Sequence, residues 1–374
     1  MLSDGIEVAA DGTISQMGSM FVWIPRYAYQ ITSNYQNGGD GISGNINVKF
    51  LKDRTFVTTE ETTTKMINAS GLNNWNVHPA FTDGSKNNYA NGGWDRELTG
   101  FWVAKFKASS TNPTADYGGG NATNLGIKVV PNVISWRNIT ITNCFTNCLN
   151  MNKTGNTYGL PTNAVTHLMK NSEWGAVAYL TQSKYGRNGV EIMNNNSSTY
   201  MSGNAANNLS DGANTGGVTN AYDTEKGILA STTGTVYGIF DIVAWGELVA
   251  GGLNDYIESA LENIDGFLEK IVDRYQKVKD DGTGDTNYFL EANANRYGDS
   301  IYETSAGAYY SSNGTKNLYV SWNGEMSCYP RTGAAMFVRG LGESNKGYGM
   351  FAFSRRTDEE GREWVGFRPT IVIE

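Results

Sequence analysis

The sequence predicts a turn-rich globular fold that mixes strands with a few helices. Of its 374 residues, 45 are Gly and 41 are Asn, the residue types that best tolerate the positive φ of tight turns. Aromatic residues make up 12% of the chain, which is more than a disordered chain carries. Between the turns, short runs of β-branched and aromatic residues recur, as is typical of strands.

Strands are predicted along the whole length of the chain. Residues 18–32 (GSMFVWIPRYAYQIT) form the first apolar run, residues 47–56 the second and residues 98–106 (LTGFWVAKF) the strongest. Residues 235–243 have strand or turn character, and residues 317–374 alternate short apolar strands with polar and glycine turns. Because no repeat and no Pro/Ser linker divides the chain, we expect one domain with insertions.

Three segments are predicted to be helical. The signal Ser135–Asn138 precedes a short helix in ITITNCFTNCLNMN, and residues 163–180 form the clearest helix of the first half. In residues 253–278 the apolar residues fall at a 4-3-4-3-4-3 spacing, which indicates three heptads. They are Ile257, Leu261, Ile264, Leu268, Ile271, Tyr275 and Val278. This helix either packs on the body or forms an oligomerisation seam.

Composition and charge disfavour several functions. The formal net charge is −8 and no basic run occurs, which argues against nucleic acid as the main ligand. No apolar stretch approaches the 18–20 residues that span a bilayer, so we expect no direct membrane insertion. No glycine run has the context of a phosphate loop. The two histidines, His78 and His167, are too few for a His-based metal site, and we expect structural roles for both.

The three cysteines are too few for a disulfide framework. Cys144 and Cys148 have i, i+4 spacing on a predicted helix, which could bind a metal or react with peroxide. No second Cys or His pair lies near them, so a structural role is favoured. Cys328 stands alone. We therefore predict no metal site and no cofactor.

Five segments, in order along the chain, resemble the motifs of formylglycine-generating-enzyme-like domains. They are LTGFWVAKF (98–106), LPT with HLMKNSEWGAVAY (160–162 and 167–179), GTVYGIFDIVAWGELV (234–249), FVRGLG (337–342) and GFRP (366–369). The resemblance implies an α+β fold, the loop-rich C-type lectin fold, with insertions. It divides the chain into residues 1–95, strands and loops integrated with the core, and a lectin-like domain at residues 96–374. A helical insertion is expected at about 253–281.

The resemblance also predicts that the chain is not an enzyme. The oxidase branch of that family carries two catalytic cysteines between its "RGG" and "GFR" motifs. Residues 341–365 of this chain contain no cysteine, so the thiol that the oxidation needs has no counterpart there.

The C-terminal region resembles another branch, the variable proteins of diversity-generating retroelements. The resemblance rests on SWNGEMSCYP (321–330), FVRG (337–340), GMFAF (349–353) and GFRP (366–369). It implies a receptor of a phage tail or a bacterial cell surface whose C-terminal codons, above all those for Asn, are rewritten. Rewriting of Asn codons predicts that Asn is depleted near the C-terminus, and none of the 29 residues after Asn345 is Asn. A charged, solvated loop is the alternative explanation.

The variable region is expected at about 318–368. Apolar residues that face inward, Trp322, Phe337, Phe351, Phe353 and Phe367, would hold its backbone, with Gly340 and Gly366 at turns and Arg368 buried. The residues between them would form the binding surface. These candidates are Asn323, Glu325, Met326, Arg331, Met336, Glu343, Ser344, Asn345, Tyr348, Met350, Ser354, Arg355, Arg356, Thr357, Asp358, Arg362, Glu363 and Trp364.

The sequence thus favours a diversified, non-enzymatic binding protein on a virion or a bacterial surface. Its expected partner is a protein or glycan on a host or target cell. Two alternatives stay open: a fixed adhesin of the same fold, and an oxidase of the formylglycine-generating type. Oligomerisation through the 253–281 helix is a further expectation.

Overall fold

A computed structural model describes most of the chain. The described residues are 18–54, 75–84, 93–113, 116–153, 158–209, 217–277, 293, 296–306, 319–340, 349–356 and 361–374. Their fold is mixed and sheet-rich, with few helices and many loops, as the composition predicts. None of their helices is long and apolar enough to cross a membrane.

The strands are short and are distributed along the whole chain. They are β1 (Phe21–Pro25), β2 (Tyr27–Ile31), β3 (Ile46–Phe50), β4 (Asn76–Val77), β5 (Gly100–Ala104), β6 (Ser109–Ser110), β7 (Ile127–Lys128), β8 (Ala164–Leu168), β9 (Asn204–Ala205), β10 (Asn220–Ala221), β11 (Glu247–Leu253), β12 (Asp273–Tyr275), β13 (Met336–Arg339), β14 (Phe353–Arg356), β15 (Gly366–Phe367) and β16 (Pro369–Ile373). The helices are α1 (Ile141–Asn150), α2 (Asn171–Gln182) and the single turn α3 (Asn254–Tyr256), with short 3-10 turns between strands.

The first sheet joins the N-terminal part of the described chain to its C-terminal end. Its order is β1-β5-β16-β8 and all its pairs are antiparallel. Trp23 pairs with Trp102 across β1 and β5, and Ile371 of β16 pairs with the other side of Trp102. The N-terminal strands are therefore built into the same body as the C-terminal strand.

The second sheet carries most of the described C-terminal region. Its order is β12-β11-β13-β14, and β15 also pairs with β11. All seven residues of β11 are buried. The sheet is therefore a central layer, and β13 and β14 are parts of the core.

A third sheet, β3-β2-β4, lies against α2. The Tyr27 hydroxyl donates to the Ala176 carbonyl at 2.6 Å. The predicted strand at residues 18–32 is two strands, β1 and β2, separated by Arg26. Its buried side chain pairs with Glu97 at 2.5 Å and donates to the Phe81 carbonyl, which fixes the change of direction between the sheets.

The helix predicted at residues 163–180 is correct only in its second half. Residues 164–168 form β8, and α2 begins after Lys170, which has extended backbone angles. The Glu173 carboxylate accepts from the Lys170 N–H at 2.9 Å, and such a bond marks the start of a helix. His167 therefore lies on a strand, buried, with its Nε2 3.0 Å from Glu173 Oε1. The helix predicted after residue 138 is confirmed as α1, with Thr140 as its N-cap.

The heptad helix predicted at 253–281 is wrong over its described part, residues 253–277. The chain leaves β11, makes α3 and one π-helical turn (Ile257–Leu261), and returns as β12 parallel to β11. Gly266 has a φ of +81°, which a helix cannot contain. Instead, Arg274 forms ion pairs with Glu262 at 2.5 Å and with Glu269 at 2.9 Å.

The apolar residues of the predicted seam do not share a helical face. Ile257, Leu261, Ile271 and Tyr275 are buried in the main hydrophobic core, whereas Leu268 is 41% exposed. The described residues therefore give no support to an oligomer formed through a helical seam. Residues 278–281 lie outside the described part of the chain.

Candidate ligand-binding pocket

One cleft collects residues from six separate parts of the chain. The space inside it that solvent can occupy is about 30 Å³, and the cleft opens to the surface. The cleft is formed by the C-terminal end of α2, the 190–194 loop, Leu209 with Val243, the turn at 323–325 and the segment 349–351. Three of the predicted binding residues, Asn323, Glu325 and Met350, lie in its wall.

Glu325 forms the floor of this pocket. Its side chain is only 3% exposed, and its Oε2 accepts from the Phe351 N–H at 2.6 Å. The Asn323 amide lies 3.5 Å from its other oxygen. Burial, reinforced by the charge of Glu191, raises the pKa of Glu325 to about 8. The carboxyl therefore changes charge near neutral pH, although its backbone partner favours the ionised form.

The turn that carries Glu325 is anchored on the N-terminal part of the chain. Asn323 and Gly324 both have positive φ, 63° and 69°, which matches the preference of Asn and Gly for such turns. The Trp322 indole donates to the Asn34 carbonyl at 2.9 Å, and the Asn323 N–H donates to the Ile42 carbonyl at 2.5 Å. The floor of the pocket is thus held from outside the C-terminal region.

A glycine opposite Glu325 makes room for its carboxylate. A Cβ placed on Gly349 would collide with the carboxyl carbon and both oxygens of Glu325. The two residues are 24 positions apart in sequence but share one small volume. A change at either position therefore constrains the other.

Buried polar contacts also hold the pocket's back wall. The Trp174 indole donates to the Met350 carbonyl at 2.9 Å, and the Arg339 guanidinium donates to the Ala352 carbonyl at 3.0 Å. Arg339 also donates to Asn171 Oδ1 at 2.7 Å. Because α2 and β13 supply these donors, the backbone at 350–352 has little freedom to move.

The mouth of the pocket contains residues that sequence reasoning did not single out. Glu191 is exposed, and desolvation by its surroundings raises its pKa. Val190 and Leu209 beside it are 57% and 42% exposed, which is unusual for aliphatic side chains that line a cleft. All three lie in residues 181–220, and the only sequence signal was the length of that loop.

Six of the predicted surface residues are buried, which corrects their assignment to an exposed face. Met336 lies on β13, and Ser354 and Arg356 lie on β14, so the second sheet places them in the core. The buried set is Glu325, Met326, Met336, Met350, Ser354 and Arg356. Of these, Glu325 and Met350 still reach the pocket wall.

The remaining described candidates lie outside the pocket wall. Arg355 is half-buried and donates to the Tyr329 carbonyl at 2.9 Å, and Arg331 is exposed in a turn. Glu363 accepts from the Tyr117 hydroxyl at 2.5 Å; Arg362 and the 38% exposed Trp364 flank it. Glu343, Ser344, Asn345, Tyr348, Thr357 and Asp358 lie outside the described residues.

The predictions for the apolar support of this region are confirmed. Trp322, Phe337, Phe351, Phe353 and Phe367 are all buried. Gly340 has the positive φ of a turn, +67°, whereas Gly366 lies in β15 and not at a turn.

Arg368 is buried, as predicted, and is saturated with hydrogen bonds. Its guanidinium contacts both carboxylate oxygens of Glu247, at 2.6 and 3.0 Å. It also donates to the carbonyls of Ala104 at 2.8 Å and Phe240 at 3.0 Å. Segments 98–106, 234–249 and 366–369, three of the five family-like motifs, therefore meet at this one side chain.

The thiols are poorly suited to chemistry. All three cysteines are buried. Burial raises the pKa of Cys144 to about 12 and that of Cys148 well above its usual value. Within the part of the chain that the structure describes, no group of three or more His, Cys, Asp or Glu side chains could hold a metal ion.

The chain matches no protein-family profile, and a comparison with curated proteins finds no significant similarity.

Proposed function

We propose that this chain is a non-enzymatic binding protein of the C-type-lectin-like type, which binds its target through the pocket and neighbouring C-terminal loops. The observation that carries the proposal is the position of Asn323, Glu325 and Met350. These residues of the predicted variable region line one open cleft. A buried scaffold supports them from behind, as preorganised binding sites require.

The contacts among the motif segments support the lectin-like part of the proposal. Arg368 of GFRP binds Glu247 of the 234–249 motif, and Arg339 of the 337–342 motif binds Asn171 of α2. The pairing of β1 with β5, and of β5 with β16, closes the two ends of the domain on each other. These contacts are those expected if the five segments are parts of one core.

The expected partner is a protein or glycan on a host or target cell, and the expected place of display is a phage tail or a bacterial surface. We propose that a retroelement rewrites the exposed C-terminal positions. Surface substitutions usually shift stability by less than about 0.5 kcal/mol, so such a scaffold tolerates rewriting. A fixed adhesin of the same fold is the alternative, and the burial of the cysteines disfavours an oxidase.

Sequencing the 3′ end of the gene across a culture tests the diversification. We expect substitutions at exposed positions such as Arg331, Glu363 and Trp364, and none at buried Met336 or Arg356. A near-repeat of this region and a reverse transcriptase gene should lie beside it. An invariant 3′ end without these neighbours would favour the fixed adhesin. Incubation with a sulfatase peptide under oxygen tests the oxidase, and we expect no conversion.

A further inference from the structure

We infer that the pocket takes the cationic end of a lysine or arginine side chain of a protein ligand, held between Glu325 and Glu191. This inference rests on the proposed binding function and deepens it by naming the chemistry of the ligand.

The charges in the cleft are of one sign. Glu325 at the floor and Glu191 at the mouth come from different segments, and the charge of Glu191 disfavours ionisation of Glu325. Among the described residues that line the cleft, none is Lys or Arg. A bound cation would relieve the repulsion between the carboxylates and stabilise their ionised forms.

The remaining surface of the cleft suits an alkyl chain with a polar end. Val190 and Leu209 expose aliphatic surface at the mouth, and Met350 also lines the cleft. The methylene stems of Lys and Arg pack on such surfaces while the charged group reaches beyond them. The mouth would therefore contact the stem, and Glu325 would accept from the ammonium or guanidinium group.

A metal ion is a poorer fit than an organic cation. One oxygen of Glu325 already accepts a short hydrogen bond from the Phe351 N–H, and a hard cation such as Ca²⁺ needs six to eight oxygen ligands. The lining offers two carboxylates and four neutral polar side chains, Thr181, Gln182, Asn194 and Asn323, and its exposed aliphatic residues lie at the mouth. An ammonium group needs fewer acceptors and benefits from the aliphatic rim.

The test is an NMR titration of the intact protein at pH 8.5. The probes are Nα-acetyl-lysine methylamide, its arginine analogue and the uncharged norleucine analogue. We expect saturable shifts at the pocket with the two cationic probes only. E325Q should weaken their binding by about tenfold, and E191Q by a smaller factor, because its carboxylate is more exposed to solvent. E258Q, a matched change of an exposed glutamate that pairs with Arg274, should leave binding unchanged.

Three results would overturn the inference: equal binding of the norleucine analogue, unchanged binding in both E325Q and E191Q, or no saturable binding of the cationic probes. Displacement of a bound probe by CaCl₂, and not by an equal ionic strength of NaCl, would assign the site to a metal instead. If E325Q does not fold, E191Q carries the test, because Glu191 is exposed.

Failure of this inference is distinguishable from failure of the proposed function. The wild-type protein and E325Q would also be assayed for adhesion to target cells. Adhesion without an effect of E325Q would reject the cationic ligand and keep the binding function. Loss of adhesion in E325Q, with its fold intact, would support both.

Discussion

Two buried glutamates, Glu247 and Glu325, have opposite surroundings. Glu247 is enclosed by the protein and shares both oxygens with the Arg368 guanidinium. Glu325 is nearly as buried, but its partners are backbone N–H groups and an amide, and it lines an open cleft. The first carboxylate is neutralised by a buried cation, whereas the second forms no ion pair with any described residue. This difference separates the scaffold from the site.

The largest expected effect is on the enclosed pair. Arg368→Met should destabilise the fold by about 3–5 kcal/mol, because it removes the cation that pairs with the buried Glu247 carboxylate. Urea unfolding measures the loss. Arg331→Met, at an exposed arginine, is the matched control and should change stability by less than about 0.5 kcal/mol. A loss below 1 kcal/mol for Arg368→Met would remove the contrast between the two glutamates.

The next effect concerns the volume that Glu325 shares with Gly349. Gly349→Ala should cost about 1–3 kcal/mol, because its Cβ overlaps the Glu325 carboxylate. The cost should largely vanish in a Glu325→Ala background, and a double-mutant cycle measures this coupling. Gly84→Ala, where a Cβ would make ordinary contact with Gly93, is the control. An equal loss of stability in both backgrounds would show that the added Cβ collides with a group other than the Glu325 carboxylate.

A smaller effect is expected in the pH dependence of stability. The folded-state pKa of Glu325, about 8, lies above its ordinary value of 4.5. Folded protein therefore holds a proton that unfolded protein has lost, and the carboxyl costs stability as the pH rises through this window. Gln does not titrate, so the stability of Glu325→Gln relative to the wild type should rise as the pH increases from 4.5 to 8.

Thermal unfolding of both proteins from pH 4 to 9 measures the difference. Other charged groups near the turn and the cleft, Glu191, Asp40, Arg187 and Arg339, are common to both proteins, so their contributions largely cancel. Parallel curves across the whole range would contradict the raised pKa.

The smallest expected effect is at the rim. Val190→Ser should change stability by less than about 0.5 kcal/mol, because Val190 is mostly exposed. It should weaken binding of the lysine probe by about twofold, through lost contact with the methylene stem. Val218→Ser, at a valine that is similarly exposed but lies outside the cleft lining, is the control and should leave binding unchanged.

Local patterns in the sequence predicted the elements that local chemistry determines. The run LTGFWVAKF contains β5, and the signal at Ser135–Asn138 with the segment ITITNCFTNCLNMN behind it predicted α1. The helix predicted from the heptad spacing was wrong, because apolar periodicity carries no information about a glycine with positive φ. It also carries none about a buried arginine that pairs with several glutamates. Gly266 and Arg274, not the apolar seam, determine that segment.

The pocket was predictable only in part. Asn323, Glu325 and Met350 were among the predicted binding residues, but the burial of Glu325 depends on Gly349 and Phe351, which reach it only through the fold. Glu191 was not predicted, because the sequence of a long polar loop does not indicate which of its carboxylates will line a cleft in the folded protein. Met336 and Arg356 were assigned to the surface because the sequence does not show that the second sheet places them in the core.

The hydrogen bond from Trp322 to Asn34 joins residues 288 positions apart, and this separation determines when the pocket can form during synthesis. The first strands leave the ribosome long before the turn that anchors on them exists. A truncated translation product therefore lacks the floor of the pocket, whatever part of the body it has folded. Only a chain translated through Phe351 can complete the pocket, so products truncated before that residue would lack it.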